Sequence, residues 1–91
     1  MTDLLKLWTS VRADLLRARS LLPNSSDDLP SLQQFSEFLE HNELGLACDA
    51  LEESAKDHVV STEFWLTLHD AASKMHLGEN AARYRTRSEG R

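Results

Sequence analysis

Residues 3–22 read DLLKLWTSVRADLLRARSLL. Leu4, Trp8, Val11, Leu15, Ala18 and Leu22 recur alternately four and three apart, which places them on one face of an α-helix. A half-buried strand would alternate apolar and polar residues instead. Asp3 falls in the first turn and Arg17 and Arg19 near the end, the ends of the helix dipole that favour each charge. Pro23 stops the helix, and residues 24–28, NSSDD, read as a polar loop.

The same period continues beyond that loop. A second helix is expected from about Leu29-Pro30, with proline in the first turn and Asp27 or Asp28 as the cap. Leu32, Phe35, Phe38 and Leu39 form its apolar face, and His41-Asn42 ends it. A third helix is expected from Glu43 to Asp57, with Leu44, Ala47, Cys48, Leu51 and Ala55 inward. Asn42 is placed to cap it, and Gly45 in its first turn permits close approach by helix 2. His58-Val59-Val60 forms a short connection. Ser61 caps a fourth helix carrying Phe64, Leu68, Ala71, Ala72 and Met75 in one stripe, and Gly78 reads as the glycine that ends it. Trp65 sits at the edge of that stripe, fitting either the core or a partner anchor, with the core preferred.

The expected fold is therefore all-α: a compact bundle of four main helices with a short C-terminal helical turn around Ala81 to Tyr84, then a fraying tail. Residues 1–82 are assigned to a single domain and residues 83–91 to an Arg-rich tail. Three glycines and two prolines are too few for many strands joined by tight turns. No internal repeat stands out. No apolar run reaches the length of a membrane span. The opening MTDLLKLW lacks the basic lead and cleavage site of a signal peptide. The single cysteine, Cys48, has no partner and no CxxC context. A cytoplasmic, reducing location fits these features.

Charge is distributed in blocks. Residues 1–26 sum to +2, residues 27–70 to -10 and residues 71–91 to +3, within a net charge of -5. Glu37 and Glu40 on helix 2, and Asp49, Glu52, Glu53 and Asp57 on helix 3, point away from the apolar stripes, and Glu43 lies between the helices. Like charges three or four apart on a helix each cost about 0.2–0.5 kcal/mol. One reading is a solvated face that keeps the chain soluble. The other is a surface that meets a basic partner, since complementary charge speeds association. On the second reading Glu37, Glu40, Glu43, Asp49, Glu52, Glu53 and Asp57 are the partner-binding residues.

The composition holds little catalytic chemistry. His41 has Glu37 four residues before it, a lone match to a metal pair, and His58, His69 and His76 add no second one. No GxSxG or glycine-rich phosphate loop occurs. No enzyme activity, cofactor or metal is expected. Arg83, Arg85 and Arg87 around Tyr84 are a candidate nucleic-acid contact, but the acidic centre argues against phosphate binding by the body of the chain.

One stretch carries a resemblance. Phe38-Leu39-Glu40-His41-Asn42-Glu43-Leu44-Gly45-Leu46-Ala47 is followed by an acidic helix, by Ser61 opening the next, and by Ala71-Ala72 with Met75 and Leu77 near its end. Over about residues 35–78 the chain resembles the small helical immunity proteins of bacterial polymorphic toxin and contact-dependent growth inhibition systems, the Maf-type immunity proteins. Cys48, the long first helix and the Arg-rich tail lie outside that pattern. The resemblance implies a non-enzymatic protein that binds a cognate toxin domain, in many such systems a nuclease with a basic cleft, and neutralises it by occlusion. The alternative is a helical interaction or regulatory module whose partner is no toxin.

Overall fold

The computed structural model describes residues 2–22, 30–56, 58 and 60–89, with side chains from Leu5 onward. Five helices follow in order: α1 (Thr2–Ser20), α2 (Pro30–Glu40), α3 (Leu44–Ala55), α4 (Thr62–Lys74) and α5 (Gly78–Ser88). No strand occurs among the described residues, and no helix there is long and apolar enough to cross a membrane. The expectations for Pro23, for residues 24–28 with the Asp27 or Asp28 cap, and for Asp57 and Val59 lie outside the described residues.

Two helical hairpins, α2–α3 and α4–α5, are joined through α1, which packs along α4 and touches α3. The molecule measures 39 × 27 × 18 Å. A helix with side chains is about 10 Å across, so the thin dimension holds two layers. Charged pairs set the antiparallel register of α1 on α4. Lys74 Nζ donates to Asp14 Oδ2 and Ser10 Oγ, each at 2.7 Å, and Arg17 Nη2 donates to Glu63 Oε1 at 2.6 Å. Between them Val11, Leu15 and Ala18 of α1 are fully buried, as are Phe64, Leu68, Ala71 and Ala72 of α4. Burial of that apolar surface stabilises the contact far more than these solvent-accessible pairs do.

The two hairpins turn on the same backbone device. Asn42 and His76 both take φ of 59°, the left-handed conformation that ends helices. After α2, Asn42 N donates to Leu39 O and Glu43 N to Phe38 O. After α4, His76 N donates to Ser73 O and Leu77 N to Ala72 O. Each pair of bonds satisfies carbonyls that the helix end leaves open. Asparagine tolerates this conformation better than most residues.

Three expectations are corrected here. Gly78 does not end α4; His76 does, and Gly78 opens α5. Asn42 closes α2 and does not cap α3, whose N-cap is Glu43 with no side-chain cap hydrogen bond. Gly45 faces Leu77 rather than α2: an added Cβ would meet Leu77 Cδ1 at an ordinary 3.7 Å. By contrast the Ser61 cap forms as expected, its hydroxyl accepting from Phe64 N at 3.2 Å.

The C-terminal segment differs most. It is a full helix, and Tyr84 on it is completely buried. Phe64 meets Trp65 edge to face at 4.9 Å, and Trp65 faces Tyr84 at 6.1 Å between ring centres. Trp65 is core. Thus the helical domain continues past residue 82 through Ser88. Apart from Trp8, which is 39% exposed, the apolar stripes read from residue 11 onward face inward as expected. Buried Ser54 donates to Ala50 O at 2.9 Å, so Ser31, 2.6 Å away on α2, is the donor between the two hydroxyls.

Replacing Tyr84 with alanine should destabilise the fold by about 3 kcal/mol, as for other buried aromatics. Deleting residues 83–91 should cost at least as much; urea melts measure both, and an unchanged midpoint would refute this role for α5. Gly45→Ala should stabilise α3 by about 0.5 kcal/mol, since the added methyl makes only an ordinary contact with Leu77 and helix propensity improves. Thermal unfolding checks the sign.

Candidate protein-interaction surface

The acidic residues divide into two groups with different surroundings. On α3, Glu52 is clamped by Arg83 of α5: Nε donates to Oε2 at 3.0 Å and Nη2 to Oε1 at 2.9 Å. This two-pronged geometry is the strong form of the ion pair. Asp49 Oδ1 accepts from Asn80 Nδ2 at 3.0 Å, and the same amide lies 3.3 Å from the Tyr84 hydroxyl. Glu53 pairs with Lys56 at 2.8 Å. Arg87 lies 5.3 Å over the Trp65 ring, a cation–π contact. A groove of about 520 Å³ between α3 and α5 is lined by Asp49, Glu52, Glu53, Lys56, Arg83 and Arg87. Both signs line it.

The α3 carboxylates expected to meet a basic partner are thus engaged within the fold, Glu52 and Glu53 by cations and Asp49 by an amide. The basic end of the chain folds back on the acidic centre, because Tyr84 must be buried and its neighbours on α5 then face α3. Two of the three tail arginines named as a nucleic-acid contact are engaged in the process, and Arg85 lies 3.8 Å from Glu89. Asp57 lies outside the described residues.

Glu37, Glu40 and Glu43 form the second group, and all three are exposed. None of them makes an ion pair among the described residues. Glu37 and Glu40 occupy the last two turns of α2, and that end carries no basic residue. Carboxylates there face the negative end of the helix dipole, which is unfavourable. Arg12 of α1 reaches this helix end but goes to the backbone: its Nη1 donates to Leu39 O at 2.5 Å. The corner between α2 and α3 therefore holds three carboxylates that make no ion pair among the described residues.

His41 stands inside this corner. Its Nδ1 lies 2.9 Å from Glu37 O. That hydrogen bond, followed by the charges of Glu40, Glu43 and Glu37, raises its pKa above the ordinary 6.5. No group of three or more His, Cys, Asp or Glu side chains that could hold a metal ion occurs among the described residues. Cys48 is fully buried, and burial, followed by Asp49, Glu52 and Asp14, pushes its thiol up to about 12. A thiol this reluctant to ionise is a poor nucleophile.

Leu5 at 63%, Leu16 at 49% and Trp8 at 39% exposure share the outer face of α1 around Arg12. Sequence reading assigned Trp8 to the core and gave the two leucines no role. The signal was present: α1 carries more apolar residues than one buried stripe can use.

Comparison of the chain with protein-family models, with curated proteins and with solved structures found no match.

His41 should titrate by NMR with a midpoint above 6.5, and Glu40→Gln with Glu43→Gln should lower it. A raised folded pKa favours the native state fully below 6.5 and loses that contribution as pH rises through the folded value. A His41 midpoint at or below 6.5 would contradict the arrangement.

Proposed function

We propose that this chain is a non-enzymatic binding protein that meets a basic partner through the corner formed by Glu37, Glu40 and Glu43. The observation that carries the reading is that none of the three makes an ion pair among the described residues, at a helix end where carboxylates are unfavourable. Elsewhere among the described residues Asp14, Glu52, Glu53, Glu63 and Glu89 have Lys or Arg partners, and Asp49, Asp70 and Glu79 stand singly without one. Three such carboxylates crowded at one corner fit a surface whose further counter-charge comes from outside. Asp49, Glu52 and Glu53 serve the fold in this reading and are removed from the binding set.

The resemblance over residues 35–78 gives the partner its specific form. In that form the chain is an immunity protein, and the partner is a cognate bacterial toxin domain neutralised by occlusion of a basic surface. The corner lies within the segment that carries the resemblance.

The test uses the toxin domain encoded beside this chain. Glu40→Lys with Glu43→Lys should slow association about tenfold or more at low salt, with the difference shrinking as salt rises. Helicity should be unchanged. Glu52→Lys is the wrong probe, because it sets a cation against Arg83 and loosens α5. Equal association rates for wild type and double mutant across salt would overturn the acidic-corner reading. Failure of the chain to protect cells from that toxin would leave the interaction module with another partner.

A further inference from the structure

The exposed face of α1 is the second feature that the fold leaves without a use. Leu5, Trp8 and Leu16 lie three and eight residues apart, on one side of the helix, with Arg12 between Trp8 and Leu16. They extend over about 16 Å at 1.5 Å per residue, three turns of helix. Isolated surface leucines need no explanation, but an aligned stripe with a tryptophan does. Tryptophan is also among the residues most enriched at interface hot spots.

Arg12 connects this stripe to the acidic corner. Its guanidinium reaches Leu39 O, the carbonyl immediately before Glu40. The stripe and the corner are therefore neighbouring parts of one surface. Among the cations of α1, Arg17 pairs with Glu63 and Arg19 is also partnered; Arg12 keeps its charge but turns its guanidinium onto the Leu39 carbonyl, and exposed Lys6 falls off the stripe by the helical period. An occupant matching both parts must be apolar along one side and positively charged beside it. A second copy of the chain matches poorly, because its own stripe would bring another acidic corner alongside.

We infer that α1 and the α2–α3 corner together dock a basic amphipathic helix of a partner protein, with Leu5, Trp8 and Leu16 forming the apolar seat and Glu40 and Glu43 the charged rim. This rests on the binding-protein reading above and adds the partner's shape and the apolar half of the contact. The division of labour follows from physics. Rim charges govern how fast partners meet, and desolvated apolar residues govern how long they stay.

The probe is a synthetic 18-residue helical peptide of leucine and lysine, titrated into the full chain. Trp8 emission should move to the blue as its ring is covered, while buried Trp65 contributes a constant background. Leu5→Ser with Leu16→Ser should weaken binding at least tenfold, mainly through faster dissociation. Leu46→Ser with Leu66→Ser, at positions equally exposed on α3 and α4, should leave it unchanged. Circular dichroism melts confirm that each variant folds, and Leu16→Gln alone serves if the double variant does not. Equal weakening by both pairs would overturn the inference, as would equally tight binding of a peptide with glutamate in place of lysine. Sedimentation showing that wild type pairs with itself through the stripe would also overturn it, by naming a second copy as occupant. Because this assay contains no toxin, it can fail while the corner still controls toxin association, and the reverse.

Discussion

Tyr84 sits with no solvent exposure beneath the two-pronged bond between Arg83 and Glu52. That arrangement decides the shape of the second half of the molecule. A two-layer helical protein of this size has a thin core, and one large aromatic is a considerable share of it. Seating Tyr84 against Trp65 commits α5 to lie along α4, which in turn aims Arg83, Arg87 and Asn80 at α3 and at the indole. The acidic middle of the chain and its basic end thus meet in the ion pair between Glu52 and Arg83. What remains on the surface is a smaller and more localised negative patch than the overall charge suggests.

Much of the fold was legible because burial in helices leaves a period. The inward residues of α2, α3 and α4 are those their spacing indicates, and Ser61 caps α4 through its own hydroxyl. Misplaced elements share a cause. At the end of α4, Gly78 carried the strongest local signal for a helix stop, yet a histidine two residues earlier took the left-handed conformation. The energetic difference between the two is small beside the packing of Leu77 and Met75 on the core. Likewise ENAARYRTRS has too few apolar residues to declare a helix by periodicity. Tyr84 supplies the reason for that helix only when Trp65 is present in three dimensions.

The candidate surface was partly legible for the opposite reason. Local sequence shows that Glu37, Glu40 and Glu43 crowd together, because their proximity is a matter of helix geometry. Whether a carboxylate has a cation depends on contacts distant in sequence, as the pair between residues 52 and 83 demonstrates. Sequence alone therefore treated seven acids as equivalent, where the fold separates those on α3 from those at the corner. The outward leucines of α1 were passed over because a leucine-rich helix reads as core wherever it faces.

Cys48 lies at the centre of this packing with its thiol shielded from water and from ionisation. Reagents that capture sulfhydryls can reach it only when α3 parts from its neighbours. The rate of its alkylation would then count opening events of the core, and a bound partner that braces the helices would lengthen the interval between them. The chain carries its own built-in timer for breathing motions, needing no added label.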